Sequence, residues 1–251
     1  MPTSLRDIAP VPRWACRVLM LSLLLLWGDG ALAEPFHVAG LGVDDPATRL
    51  AVERPTVVRP LAPVQYAGTQ QVTEWLLDRP PLAATLARHL HPPLERYTIV
   101  SKGPGLYEVD DQGALRGELR LLARGRDRRV YLCRGEFRSL RNLLALSGTM
   151  VFALEYQQRR EGRDPEMEIS PTIYVRLDNR FAHGLVRTLG PLLAGIIDRR
   201  AAGLTMATRI VGERITRDPR GLYHDMAAWT DVSAEEREEF RIAFLPTGGP
   251  R

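Results

Sequence analysis

The chain has 251 residues, a formal net charge of +4 at pH 7 and a hydrophobic content of 45%. A charge this close to balance does not indicate a nucleic-acid-binding protein, and the length is enough for one domain with a well-buried core. Only two cysteines are present, Cys16 and Cys133, which excludes a disulfide-rich scaffold.

The first 33 residues have the pattern of a secretory signal peptide. Arg6, Arg13 and Arg17 precede a short apolar run, and Ala31 to Ala33 supply the small residues of a cleavage site. The run of about ten residues is too short for the roughly twenty that cross a bilayer, so cleavage near Ala33 is expected rather than a retained anchor. The pattern predicts an exported protein, periplasmic or secreted. Cys133 would then remain as a single cysteine, which we interpret as a small buried hydrophobe.

The segment after the signal predicts irregular chain and then short helices. Residues 34–54 are rich in turn-forming residues and predict a poorly ordered leader or an arm laid on the surface. Prolines restrict 56–64 to an edge strand or an extended connector. Thr69 is a candidate N-cap for a helix through Leu77, and a second helix opens at a proline pair and stops before Pro92.

Strand-like segments follow, separated by Gly, Pro and Asp clusters, and predict a meander of hairpins. Their ranges are 97–101, 106–109, 115–123, 129–137, 150–157 and 167–177. In 150–157 and 167–177, large apolar residues alternate with smaller or polar ones, which predicts a sheet with one buried face. The Leu-rich stretch 139–147 is expected to interrupt the meander as a helical turn or a wide loop.

The pattern changes to helical spacing after Asp178 and predicts one long helix over about 179–215. Pro191 should kink this helix, because proline removes a backbone hydrogen bond and clashes one turn back. Asp218 begins a further short helix, and Ser233 with a glutamate three residues later forms a capping box that opens another.

This order of elements resembles the helix-grip architecture of the START-like and polyketide-cyclase-like (SRPBCC) superfamily. The residues that carry the resemblance are Pro63 and Val64 before the helices of 72–90, the alternating strands Met150–Tyr156 and Met167–Leu177, and the helix from Asn179. The resemblance rests on element order, covers about 57–215, and is not carried by any fingerprint motif.

The resemblance implies an α+β fold in which a curved antiparallel sheet of about six or seven strands grips a long C-terminal helix. Two short helices follow the first strand. The implied organisation is a helix-grip domain over 55–215 and a C-terminal helical extension with a loose tail over 216–251. The export signal and the helices after Ile215 depart from the usual form of the superfamily.

Members of that superfamily have pockets for lipids, polyketides, sterols and other apolar molecules. The leading hypothesis is therefore an exported, soluble protein that binds or carries an apolar small molecule or lipid, without catalysis and without a cofactor. The apolar residues on one face of the strands and on one face of the helices must face one another, and they are expected to line the pocket. These residues are Trp75, Phe152, Leu154, Tyr156, Ile173, Val175, Leu189, Leu193 and Ile197.

Polar positions leave alternatives open. Arg176 and Glu155 alternate with the large apolar residues of their strands, so their side chains should face the outer surface of the sheet. If these side chains faced inward, Arg176 could bind a ligand carboxylate or phosphate. A second hypothesis, a cyclase or hydrolase, needs an inward acid or base, for which Glu155, His183 and Asp178 are candidates.

A third hypothesis is a non-catalytic envelope interaction module with a filled core. Its working surface would include exposed leucines of the Leu-rich stretch, namely Leu140, Leu143, Leu144 and Leu146. Arginine clusters at 124–129 and 159–163 allow a weak contact with an anionic membrane surface. The sequence has no dinucleotide, phosphate-loop or zinc motif, so no cofactor or metal is expected.

Overall fold

An eight-stranded antiparallel sheet forms the centre of the protein. It is seen in a computed structural model that describes residues 45–94, 97–112, 115–139, 144–161, 164–178, 195, 198, 203 and 205–245. The strands are β1 (Val57–Pro60), β2 (Val64–Ala67), β3 (Thr98–Gly103), β4 (Leu106–Asp110), β5 (Leu115–Arg124), β6 (Arg128–Ser139), β7 (Leu144–Glu161) and β8 (Asp164–Leu177). The helices are α1 (Pro46–Glu53), α2 (Gln70–Leu77), α3 (Pro80–Leu90), α4 (205–217), α5 (Pro219–Ala228) and α6 (Ala234–Phe244).

The strand order β1-β8-β7-β6-β5-β4-β3 confirms the predicted meander. Each strand from β3 to β8 pairs with its neighbours in sequence, and β8 also pairs with β1 and β2. Val57 lies opposite Val175, and Val64 opposite Ile169. β1 and β2 are two halves of one edge strand that is interrupted at 61–63, where a proline cannot donate to the ladder. This split gives eight strands where about six or seven were predicted.

The capping residues act as their positions predict. The Thr69 hydroxyl accepts a hydrogen bond from the Val72 N–H, 3.3 Å away, at the start of α2. The Ser233 hydroxyl accepts from the Glu236 N–H at 3.1 Å, and the Glu236 carboxylate accepts from the Ser233 N–H at 2.8 Å. These three hydrogen bonds supply partners to N–H groups that a helix start leaves unpaired. The ends of α2 and α6 are therefore fixed by local sequence.

Two segments differ from their predictions. Of the Leu-rich stretch, Ser139 and residues 144–147 belong to β6 and β7 and not to a helical turn or loop, with Ser139 paired to Leu144, while residues 140–143 lie outside the described residues. Leu146, the leucine of this stretch whose side chain is described, is 7% exposed and lies in β7. The described end of the predicted leader forms α1, whose first turn is capped by the Asp45 carboxylate, 2.7 Å from the Thr48 N–H. α1 packs on the outer face of β7 and β8, with Ala51 fully buried.

The long predicted helix is described in part. Residues 195, 198, 203 and 205–217 are helical. Pro191 and its expected kink lie outside the described residues, and so does the predicted signal peptide. Within the described part of the chain, no helix is long and apolar enough to cross a bilayer.

The helices form a hydrophobic core of their own, separate from that of the sheet. α2 and α3 pack against α4, α5 and α6. The ring of Trp75 meets Phe240 and Phe244 edge-on, with centroids 5.7 and 5.1 Å apart. Phe240 is fully buried, so the predicted helical extension is part of a packed core.

A row of three glycines crosses the middle of the sheet. Gly117 of β5 lies opposite Gly135 of β6, and Gly135 lies opposite Gly148 of β7. A Cβ at Gly117 would lie 2.5 Å from the Arg134 carbonyl oxygen, and one at Gly148 would lie 2.6 Å from the Arg176 carbonyl oxygen. Glycine in a strand permits this close backbone approach and marks bends. The three strands are thus bare of side chains at this level.

Candidate ligand-binding cavity

A cavity of about 270 Å³ lies between the sheet and the helices α2, α3 and α4. Phe152, Leu154 and Ile173 line it on the sheet side, and Leu77 and Ala84 line it on the helix side. The wall is thus made of aliphatic and aromatic side chains. A void of this size is unusual, since protein interiors contain few gaps larger than a water molecule.

The alternation along each strand decides which residues face the cavity. On β7, Met150, Phe152 and Leu154 line it, whereas Val151 and Ala153 point to the opposite face. That opposite face was predicted to be polar and solvated. Val151 is fully buried and Ala153 is 2% exposed, so the sheet is covered on both faces here.

A cluster of buried polar side chains joins the sheet to the C-terminal end of α2. The Tyr131 hydroxyl donates to the Leu77 carbonyl oxygen. Beyond it, the Arg129 guanidinium, 4% exposed, donates from Nε to Asp78 Oδ1 at 2.8 Å and from Nη1 to Tyr156 Oη at 2.5 Å. The Tyr156 hydroxyl donates to Glu74 Oε1 at 3.2 Å. We call Arg129, Asp78, Tyr156 and Glu74 the Arg129 cluster.

The Arg129 cluster is internally satisfied. Burial disfavours the charge on Arg129, yet the hydrogen bonds that Arg129 donates to Asp78 hold its pKa above the ordinary value. Burial also raises the pKa of Tyr156, which therefore keeps its proton at neutral pH. A buried charge needs such partners because isolation from water is costly. The cluster ties α2 to β6 and β7 and does not line the cavity.

The described lining carries no charged side chain. Its titratable groups are Tyr131 and Cys133, and burial raises the pKa of both, that of Cys133 to about 11. Both are neutral at physiological pH. The other polar side chains are hydroxyls, from Thr149, Thr205 and Thr208. The lining can therefore offer apolar contact and neutral hydrogen-bonding groups.

The structure brings together four of the nine residues predicted for the lining. Phe152, Leu154, Ile173 and Val175 all face the cavity. Trp75 lies instead in the helical core, and the ring of Tyr156 packs in the sheet core while its hydroxyl joins the Arg129 cluster. The remaining predicted residues, Leu189, Leu193 and Ile197, lie outside the described residues.

The polar candidates lie away from the cavity where they are described. Arg176 donates from Nη1 to the Arg54 carbonyl oxygen at 2.8 Å, and thereby holds the end of α1. Glu155 and Asp178 are exposed. His183 lies outside the described residues.

Sequence reasoning missed the helix side of the lining. Leu76, Leu77 and Ala84 face the cavity. Each belongs to a helix with apolar residues on two faces, so helical spacing alone does not indicate which face lines the cavity. On the sheet, Tyr131 and Cys133 share one phase of β6 and could have been found by the same alternation that identified Phe152. Across the described ranges, no group of three or more His, Cys, Asp or Glu side chains could hold a metal ion.

No protein-family model and no curated protein matches this sequence. Among solved structures, the chain is similar to Ara h 8.0201, with 12% identity and a TM-score of 0.38, over 61% of this chain and 96% of that chain. It is also similar to truncated norcoclaurine synthase from Thalictrum flavum, with 15% identity and a TM-score of 0.40, over 64% and 95% of the two chains.

A third similar structure is the di-domain ARO/CYC BexL from the BE-7585A biosynthetic pathway, with 14% identity and a TM-score of 0.34, over 66% of this chain and 52% of that chain. The fold itself is defined by the strand order, the two helices after the edge strand and the helix α4 over the cavity. The chain has the helix-grip fold that its sequence predicts.

Proposed function

We propose that the protein binds an apolar small molecule, such as a lipid, in the cavity between the sheet and the helices, and carries it without catalysis. The observation that supports this function is a cavity of about 270 Å³ whose described lining is mostly apolar. Small-molecule sites are concave and mostly apolar, with volumes from roughly 300 Å³ upward. The cavity is close to the lower end of that range, which favours a compact ligand or a single short chain.

The hydrophobic effect supplies the affinity in this proposal. Each buried methylene group of a ligand contributes about 0.8 kcal/mol. Phe152 and Leu154 are already withdrawn from water in the free protein, so the gain comes mainly from the ligand's own surface. Preformed apolar cavities of this kind bind without large rearrangement.

We further propose that the protein works outside the cytoplasm, in the periplasm or as a secreted protein. The support is the pattern of 1–33, with arginines before an apolar run and alanines at the cleavage position. Mass spectrometry of the protein from its own host tests this proposal. A mature N-terminus near Glu34 is expected, and an intact N-terminus on cytoplasmic protein would contradict it.

The two other hypotheses receive less support. An enzyme would need an acid or base within the cavity, and Glu155 and Asp178 are exposed elsewhere. An interaction surface of exposed leucines would need Leu146 at the surface, but Leu146 is 7% exposed and lines the cavity. No observation on the described residues favours either function over ligand binding.

Native mass spectrometry of the protein from its own host, followed by lipid extraction, tests the proposed function. We expect a bound apolar molecule that organic solvent releases. The Ala84→Phe variant should lose it, because Ala84 lines the cavity and a phenyl ring would occupy the space. Ala227→Phe is the matched control, since Ala227 is an exposed helical alanine. Protein that is repeatedly empty and does not take up an added apolar probe would contradict the proposal.

A further inference from the structure

We propose that the ligand of this cavity is uncharged, so that alcohols, esters or hydrocarbons bind and the corresponding carboxylates do not. This inference rests on the proposed function and narrows its ligand class. It starts from the lining, in which the described side chains are apolar or neutral. Tyr131 and Cys133, the titratable residues of that lining, both keep their protons at neutral pH.

Two arginines of the sheet that bears the cavity, Arg129 and Arg59, are each paired with a carboxylate. At one end, the guanidinium of Arg129 is bound by Asp78 and by the carbonyl oxygens of Gly125 and Arg128, at 2.6 and 3.0 Å. At the edge strand, Arg59 forms a two-point ion pair with Asp198, with Nε to Oδ1 at 2.7 Å and Nη2 to Oδ2 at 2.6 Å. Neither arginine lines the cavity.

A ligand carboxylate would therefore enter without a partner of opposite charge among the described residues. Moving an unpaired ion out of water costs several kcal/mol even after the protein relaxes. A hydroxyl group in the same place costs far less, because it carries no net charge. Two ligands with the same chain and different head groups should thus differ strongly in affinity.

The test uses the full chain and a fluorescent neutral probe, N-phenyl-1-naphthylamine. The probe is bound first and then displaced at pH 7 by 1-octanol or by octanoate, which have the same chain length and differ in charge. We expect 1-octanol to displace the probe with at least tenfold greater affinity than octanoate. Octanoate that competes as well as 1-octanol would overturn the inference and leave the proposed function intact.

Failure of the proposed function looks different in the same experiment. If the probe does not bind, or if 1-octanol does not displace it, the cavity does not take apolar ligands, and both proposals fail. The two failures are therefore distinguishable.

Two neighbouring valines provide a matched pair of variants. Val57 lines the cavity, whereas Val58 is the next residue of β1, is 43% exposed and points to the other face. Val57→Lys should place an ammonium group at the lining and raise the affinity for octanoate relative to 1-octanol by about tenfold, since it supplies the missing partner. Val58→Lys should leave the ratio unchanged.

The comparison of the two lysine variants tests the inference independently of the measurement on the wild-type protein. Circular dichroism first shows that Val57→Lys is folded. If this variant then has the same ratio of octanoate affinity to 1-octanol affinity as Val58→Lys, charge does not control selection and the inference is overturned. Val175→Lys, at the position that pairs with Val57, replaces Val57→Lys if that variant does not fold.

Discussion

The helices α2 and α3 separate two regions that are packed very differently. On one side, Trp75, Phe240 and Phe244 interlock in a filled helical core. On the other side, Leu77 and Ala84 face an open cavity. The same two helices therefore contribute to stability through one face and to the proposed binding through the other. The difference suggests that the filled core supports a sheet that is left incompletely packed.

The largest effect is expected from Phe240→Ala in the helical core. Phe240 is fully buried, and truncation of a buried phenylalanine costs about 3–5 kcal/mol of the free energy of unfolding. Urea denaturation followed by circular dichroism measures it. Ile242→Ala is the control, because Ile242 is 64% exposed and should change stability by less than about 0.5 kcal/mol. Equal effects of the two changes would contradict the packed helical core.

Asp78→Ala should have the next largest effect, because it leaves the guanidinium of Arg129 with fewer partners of opposite charge. We expect a loss of about 2–3 kcal/mol, less than for a fully isolated buried ion because Glu74 remains near. The same denaturation assay measures the loss. Glu239→Ala removes a partly exposed pair with Arg79 and should cost under about 1 kcal/mol. A loss no larger than that of the control would mean that the Arg129 cluster does not stabilise the fold.

Phe152→Ala tests the comparison directly, because Phe152 is as large as Phe240 but lines the cavity. One side of its ring already lacks packing partners, so fewer contacts are lost. We expect a destabilisation below the roughly 3–5 kcal/mol of a fully packed phenylalanine and therefore below that of Phe240→Ala. If the two variants lose the same stability, the cavity side is packed as tightly as the helical core, and the contrast between them is wrong.

The smallest change in stability is expected at the ion pair of Arg59 and Asp198, which ties the edge strand to a helical residue over the sheet. Both side chains are about two-fifths exposed, at 42% and 38%, so Asp198→Asn should cost under about 1 kcal/mol. The variant should nevertheless release N-phenyl-1-naphthylamine several-fold faster, if this pair holds the cavity closed. Stopped-flow fluorescence measures the rate, and an unchanged rate would show that the pair does not control access.

The same pair predicts a pH dependence. Hydrogen bonds from Arg59 lower the pKa of Asp198 below its ordinary value. The stabilisation is therefore complete above the unfolded pKa of about 3.9 and is lost as the pH falls through the lower folded pKa. In wild type, probe release should accelerate only as the pH falls through this lowered folded pKa, which lies below about 3.9. Asp198→Asn should lack that acceleration, and an identical acid profile in both proteins would contradict the assignment.

Much of the fold could be predicted because its signals are local. Pro60 marked an edge strand, Thr69 and Ser233 marked helix starts, and alternation placed Phe152 and Ile173 on one face. The signals that failed were those that depend on a distant partner. Trp75 belonged to a correctly predicted helix, but periodicity does not say which of two apolar neighbours a side chain meets.

The candidate site was harder to predict for the same reason. Val151 and Ala153 follow the pattern of the solvent-facing residues of a half-buried strand, yet both are buried in β7, against which α1 packs. Which residues of α2 and α3 line the cavity depends on which of their apolar side chains pack in the helical core and which face the sheet. Such a division follows from tertiary packing and leaves no distinct period in the sequence.

The row of three glycines also bears on how β5, β6 and β7 pair in one register. β6 and β7 form a long hairpin, and a slip of one residue would turn every side chain to the wrong face. A one-residue slip of β6 against β5 would bring Arg134 or Glu136 opposite Gly117, whereas in the observed pairing a Cβ at Gly135, the residue opposite Gly117, would lie 2.5 Å from the Arg116 carbonyl oxygen. Gly117, Gly135 and Gly148 can thus approach closely in one register alone. We therefore expect a side chain at any of the three positions to disfavour the observed strand alignment.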